Sequence, residues 1–404
     1  MDVEKLGETG RNPVQSINNI GIFSLILSRG LANLPGAVVS LLLVDIASSF
    51  NVSVGIAGQI RTTSGFLSII FALIMGVLSV RYAYKSLLSL GLILFAVSAT
   101  ASFFSQSLSM LLVFYSLAGI AISMVSPMIN SLIGVLVIPE NRTKILGWTV
   151  AGLSIIYTLG QLITAQLAPL GWRTTLILVV VPISLFTCLL CRLQVPNVTH
   201  HKTNVSFSGL FSGYTSLLKN KSALGCILGT VLGLASWNTV LIYGSSYVRQ
   251  VFEIPVKTMA IVNIFITLFY TAGSLTASRV TRKLGFKKTL LFTTGTLGCF
   301  IILCFNAPNY LVSILLFLPV CLTAGMMITV SSSFSLEQIP EFRGTMMSLH
   351  SAAVSIGGTL AAIIGGVLLI AYGYSGYAIA MGILGVAGAL VFQFLTVEPG
   401  KIET

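Results

Sequence analysis

Twelve apolar runs, most of them twenty residues or longer, constrain this chain more than any motif does. They are separated by polar or Gly/Pro punctuation and fall at 19–45, 56–79, 86–105, 109–137, 145–168, 174–194, 223–248, 257–280, 287–305, 309–335, 344–370 and 374–396. A helix rises about 1.5 Å per residue, so about 20 apolar residues cross the hydrocarbon core of a bilayer. Backbone polar groups find no water there, and a run of this length must satisfy them internally as a helix. Only 8% of residues are charged, against about 25% in soluble proteins. The chain reads as an all-α membrane protein with twelve transmembrane helices. Its first sixteen residues are polar, so no cleavable signal peptide is expected.

A net charge of +12 would point to nucleic acid in a soluble protein. Here the basic residues gather beside the spans, without the aromatic interleaving of a single-strand binder, so no nucleic-acid partner is expected. With the N-terminus inside, Arg81, Lys85, Arg142, Lys144, Arg192, Lys202, Lys219, Lys221, Arg279, Arg282, Lys283, Lys287, Lys288 and Arg343 fall in cytoplasmic loops. The opposite loops hold only Arg173, Arg249 and Lys257. Fourteen against three orients the chain in the cell membrane with both termini cytoplasmic.

The organisation expected is a cytoplasmic tail at 1–18, six spans at 19–194, a linker at 195–222, six spans at 223–396 and a tail at 397–404. The linker stretch "FSGLFSGYTSLLK" is mildly amphipathic, fit to lie along the membrane surface. His200 and His201 within the linker read as solvated. Cys188, Cys191, Cys226, Cys299, Cys304 and Cys321 all lie in apolar runs. Cys188 and Cys191 have no second pair and no nearby histidine, so no metal and no cofactor are expected.

The two halves repeat. "VIPENRTKILG" after the fourth span, with Ile138, Pro139, Glu140 and Arg142, matches "QIPEFRGTMMS" after the tenth, with Ile339, Pro340, Glu341 and Arg343, at an offset of 201. "GVLSVRYAYKSLL" from Gly76 matches "SRVTRKLGFKKTLL" from Ser278 at an offset of 202. Two six-helix repeats facing each other across a midplane site are the plan of a large class of secondary transporters.

At this point the chain resembles the major facilitator superfamily. Gly76, Leu78, Arg81 and Lys85 match the family's loop signature between spans two and three, and Lys283, Gly285, Lys287 and Lys288 supply the second-half copy. The acidic position of the signature is Val80 in one loop and Arg282 in the other. The fifth span, with Gly152, Gly160 and a closing Gly171-Trp172-Arg173, resembles the drug:proton antiporter branch, although Gln161 stands where a proline is usual. The eleventh, with Gly357, Gly358, Ala361, Ala362, Gly365 and Gly366, resembles the same branch. The resemblance implies the major facilitator fold of two pseudo-symmetric six-helix bundles. It also implies secondary active transport by alternating access, with efflux of small amphipathic compounds by antiport as the first expectation, from a protein working as a monomer in the lipid bilayer.

The ten acids all lie outside the middle third of any predicted span, and no paired carboxylate or nucleophile elbow occurs, so no enzyme is expected. Asp45 and His350 are the candidates for coupling to protons. Ser154, Tyr157 and Gln161 fall on one face of the fifth span, and Asn263, Thr267 and Tyr270 on one face of the eighth. With Trp237 and Asn238 in the seventh span, they read as the lining of a cavity for a small-molecule substrate. Arg29 lies near mid-span in the first run and shares a helix face with Asn33. Arginine at such a depth costs about 2.5–3.5 kcal/mol on insertion scales, and it faces a bundle interior. Helix carbonyls could hold it in place. Alternatively it anchors an organic or inorganic anion, which makes anion transport the second expectation. Arg61, nearer the outer end of the second span, is expected to snorkel or to meet Asp45.

Overall fold

The computed structural model describes residues 17–137, 139–197, 220–338 and 343–398. The linker stretch with His200 and His201, and Pro340 with Glu341, lie outside the described residues, as do the side chains of Arg81, Glu140, Arg142 and Arg343. Helices account for almost all of the rest. The first span is built of Asn19–Leu31, Leu34–Leu41 and Leu43–Ser49, and the second of Val54–Ala57 and Gln59–Arg81. The third to sixth are Tyr84–Phe103, Leu108–Leu136, Pro139–Leu167 and Trp172–Gln194. The seventh joins Lys221–Thr239 to Ser245–Val251 through a π turn at Val240–Gly244. The eighth to tenth are Val256–Leu284, Phe286–Cys304 and Tyr310–Gln338.

The last helical stretch, Arg343–Leu395, is two spans. Gly373 has φ 64, outside any helix, and a Cβ on Gly365 would lie 2.7 Å from the Tyr377 ring. In an unbroken helix those two positions would be about 18 Å apart. The chain has therefore reversed at Gly373. Among the described residues ten helices are long and apolar enough to cross a membrane, or eleven with the bent second span, and this hairpin raises the total by one to twelve.

The duplication is written into the helix ends. Asn19 and Lys221, Val54 and Val256, Tyr84 and Phe286, Leu108 and Tyr310, and Leu136 and Gln338 start or end corresponding helices, each pair 202 apart. Glycine brings backbones together in both halves. A Cβ on Gly119 of the fourth span would overlap the Ser64 carbonyl oxygen of the second, and one on Gly325 of the tenth would overlap that of Tyr270 in the eighth. The bilayer supplies no hydrophobic drive between helices, so close contacts of this kind carry the association. Outward-facing Leu275 and Phe394 are about three-quarters exposed and would meet lipid.

Two expectations need correction. Arg279, Arg282 and Lys283 belong to the last turns of the eighth helix rather than to a loop. Basic side chains favour a helix C-terminus, where they offset the negative end of the macrodipole. The first span is also not one helix. It breaks at Ala32 and Asn33, because Pro35 has no N–H to give the preceding turn. Arg29 lies in the last turn of one segment and Asn33 precedes the next, while Ala32 and Asn33 keep right-handed helical backbone, so the span runs on from Asn19 to Leu41.

Candidate functional site

Below, the face where the first span begins is called the N-terminal face. Arg29 is ten residues from that end, about 15 Å into the bundle and near the middle of a membrane about 30 Å thick. Its neighbours on the helix seat the span. Ser28 meets Cys191 of the sixth span at 3.3 Å, and Gly30 packs against Ile156 of the fifth. Arg29 itself turns to the fourth span, where Nη1 donates to the Ser126 carbonyl at 3.4 Å. Its buried Nε has no hydrogen-bond partner among the described residues. Asn33 makes no capping hydrogen bond through its side chain.

Arg61 does not meet Asp45. Asp45 pairs with Arg249 of the seventh span at 2.7 Å, and Arg249 also donates to the Leu41 carbonyl at 2.6 Å. Arg61 instead turns into the bundle, seven residues or about 10 Å from the start of its span on the face opposite the N-terminus. Its Nη1 lies flat against the first span, where a Cβ on Gly36 would collide with it. Tyr115 of the fourth span and Tyr157 of the fifth lie close enough to feel its charge. The missing side chain of Gly36 is what admits the guanidinium.

The polar stripes of the fifth and eighth spans meet each other. Gln161 is buried, donates to the Ala37 carbonyl at 3.1 Å and to the Tyr157 hydroxyl at 3.4 Å, and accepts from Asn263 at 2.7 Å. Asn263 in turn donates to Ser245 at 3.3 Å. Further along, Thr271 donates to Ser154 at 3.4 Å. Thr267, expected in the lining, bonds back to the Asn263 carbonyl of its own helix. Tyr270 stacks on Trp237 at 5.6 Å with their planes 12° apart, an aromatic wall inside the second half. Asn238 donates to Leu234 within its helix and stands beside Gly358.

The halves touch elsewhere too. Ser40 donates to the Leu241 carbonyl in the π turn, Gln59 donates to the Ala362 carbonyl, and Gly65 and Gly55 receive Thr359 and the Gly366 carbonyl. The small residues of the eleventh span serve two contacts, since Gly357 packs on Leu234 of its own half. Gly152 and Gly160 of the fifth span seat Ile26 and Leu34 of the first, within one half. Among the described residues, the polar contacts between halves run from mid-depth to the face opposite the N-terminus. That face is closed.

His350 is buried elsewhere. Its Nδ1 lies 3.2 Å from the Ser335 hydroxyl, which meets Cys226 at 3.3 Å, so the eleventh, tenth and seventh spans of one half are tied together. Lys85 lies in the first turn of the third span and Gly76 in the last turns of the second. The second-half loop shows a carboxylate that its own motif lacks. Glu398, beyond the twelfth span, accepts from the N–H groups of Phe286 at 2.6 Å and Lys287 at 2.9 Å. Gly285 makes room for it at φ 83, and Lys287 Nζ returns a bond to the Thr396 carbonyl at 3.0 Å. Val397 N–H donates to Ser222, and its carbonyl accepts from Gln338. Lys283 is exposed in the turn before this clasp.

The described residues outline a cleft toward each face of the bundle. One of about 470 Å³ lies on the closed face, between the Val44–Gly55 turn and Gln250, Leu369 and Tyr374. The other, of about 290 Å³, lies between the N-terminal-face ends of the eighth and tenth spans, beside Ser278, Arg282 and Thr329.

Solved structures share this architecture. The nucleoside transporter NupG superposes with a TM-score of 0.77 at 14% identity, over 94% of this chain and 99% of that one. A D-xylose-proton symporter gives 0.78 at 16%, over 94% and 98%. A bacterial homologue of the human lysosomal transporter Spinster, inward-facing and unoccupied, gives 0.72 at 15%, over 96% of each chain. In sequence, an uncharacterised MFS-type transporter of Bacillus subtilis (strain 168), YceJ, is 26% identical over 331 residues, 82% of this chain and 84% of that protein. The Major Facilitator Superfamily model matches residues 20–269 and 259–403. Twelve spans in two 202-residue repeats, closed across one face, are thus those of a multi-pass transporter, and the chain belongs to the Major Facilitator Superfamily.

Proposed function

We propose that the chain is a secondary transporter for a small amphipathic organic anion, bound through Arg29. The observation that carries this reading is the state of Arg29 itself: mid-depth, with one long carbonyl contact, an unpartnered buried Nε, and no carboxylate among its described neighbours. A guanidinium so placed is set up for a carboxylate or phosphate brought from outside the protein. The stacked Trp237 and Tyr270 offer an apolar surface for the rest of such a solute. The small organic solutes named for the solved relatives, nucleosides and D-xylose, agree with a site of this scale.

The excess of basic residues on the N-terminal face supports a cytoplasmic placement of both termini in the cell membrane. In that orientation the closed face is external. Outward movement in exchange for protons is supported by the likeness of the fifth and eleventh spans to the drug:proton antiporter branch. Asp45 serves as the coupling acid better than His350. A coupling group must change surroundings as the halves rock, and Asp45 bridges the two halves whereas His350 bonds within one. The protein acts as a monomer.

Proteoliposomes under an imposed pH gradient, screened with benzoate, octanoate and cationic dyes, test the reading. Carboxylates are expected to move and dyes not. Arg29→Lys is expected to fold and to weaken carboxylate transport, because it keeps the charge but loses the fork. Dye movement with no carboxylate movement would return the protein to efflux of uncharged or cationic compounds.

A further inference from the structure

We infer that Arg61 is a second binding point for the anion, and that it connects an occupied site to the seam between the halves. This inference rests on the reading of the substrate as an anion.

Three observations carry it. Arg61 has no carboxylate partner among the described residues, because Asp45, the acid nearest to it in the sequence pattern, is held by Arg249. The chain nevertheless makes room for its guanidinium inside the bundle, by leaving Gly36 without a side chain where Nη1 lies. A charge that only needed to escape the membrane would run to the nearby surface along its own stem. The two groups that feel its charge, Tyr115 and Tyr157, are phenols, which can share hydrogen bonds with both a guanidinium and a carboxylate.

The second half of the inference follows from what Tyr157 touches. Its hydroxyl accepts from Gln161 Nε2, and the carbonyl oxygen of the same Gln161 accepts from Asn263 in the other half. Asn263 stands 202 residues after Arg61, so the repeat puts a neutral hydrogen-bonder in the second half at the position of the charge in the first. An anion reaching Arg61 competes for the Tyr157 hydroxyl, and the Tyr157–Gln161 bond at 3.4 Å is the weakest link in the row. When the phenol turns to the anion, Gln161 loses one of the two acceptors that orient it, and the bond to Asn263 loosens. Binding at the roof of the N-terminal half thereby favours separation of the halves on the closed face. Arg29, nearer the N-terminal face, receives the anion first.

The test uses the full chain in proteoliposomes with benzoate and octanoate, together with distances between spin labels on S48C and Y372C, two exposed positions on the closed face in opposite halves. Arg61→Gln is expected to raise the half-saturation concentration at least about tenfold, and Arg61→Lys by less. Saturating benzoate is expected to lengthen the label distance in the otherwise native chain, but not in Arg61→Gln. Gly36→Ala gives a second handle. It keeps the charge and pushes only the flexible end of Arg61, so it is expected to raise half-saturation severalfold without lowering the unfolding temperature. If the native chain moves no carboxylate, the anion reading itself fails. If it moves carboxylates and both Arg61 variants and Gly36→Ala behave like the native chain, the role of Arg61 alone is overturned.

Discussion

Gln161 of the fifth span accepts a 2.7 Å hydrogen bond from Asn263 of the eighth, so the two polar stripes of the halves end on each other rather than on open space. Both residues are buried, and the bond closes a row that runs from Tyr157 to Ser245. Interhelical hydrogen bonds inside membranes are worth about 0.6 to 2 kcal/mol. Gln161→Leu keeps the bulk of the side chain and removes the bond. It is expected to shift the population toward states open on the closed face by a factor of about three to thirty. Broader or longer distances between labels on S48C and Y372C would show it, and an unchanged distribution would remove the bridge from the closure.

The ion pair between Asp45 and Arg249 is the counterpart of that bridge nearer the closed face. Arg249 is 10% exposed and Asp45 43%, so water reaches one side of the pair and its worth is modest, up to about 1 kcal/mol. Asp45→Asn imitates the protonated acid. It is expected to favour opening of the closed face, with Arg249→Gln acting in the same direction and the double variant doing little more than either single one. Additive effects in that cycle would mean that the two residues act separately. If Asp45 couples transport to protons, Asp45→Asn also flattens the pH dependence of transport.

Most of the fold could be read from the chain because each span needs only length and apolarity, and the repeat of "IPE" and of the basic loops gives the two-half plan. What the sequence hid was direction. Arg61 and Asp45 sit where the ends of neighbouring spans make a pair plausible, and only the packing of the first span on the seventh reveals Arg249 as the nearer partner. Similarly, Gln161 and Asn263 both look like lining, since a stripe facing a cavity and a stripe facing another stripe have the same spacing. The break at Asn33 was signalled by Leu34-Pro35, which the apolar run around it masked. Glu398 carried no signal, because it reaches the ninth span from 112 residues away.

That distant carboxylate gives a third prediction. Glu398 satisfies two N–H groups at the start of the ninth helix, and capping bonds of this kind are worth about 1 kcal/mol, with the helix dipole adding a few tenths. Glu398→Ala is expected to lower the unfolding temperature by a few degrees, and Glu398→Gln by less, since the amide oxygen still accepts. A chain ending at 395 should lose more than either, because Val397 also ties Ser222 and Gln338 together. Equal stability of all four chains in thermal unfolding would show that the clasp holds nothing.

The last prediction concerns His350, whose place decides between a proton carrier and a strut. The imidazole and its partner Ser335 are both buried, and Cys226 completes the contact from the seventh span. All three belong to the half after the linker, so rocking of one half against the other leaves the cluster intact. His350→Asn shortens the side chain and strands the Ser335 hydroxyl with Cys226 alone, at a cost of about 1 to 3 kcal/mol. The variant is expected to unfold at a lower temperature, while transport by the folded fraction keeps its pH profile. Measuring both on one preparation separates the roles. A pH profile that flattens with stability unchanged would make His350 the proton carrier and leave the Asp45 pair as a lock only.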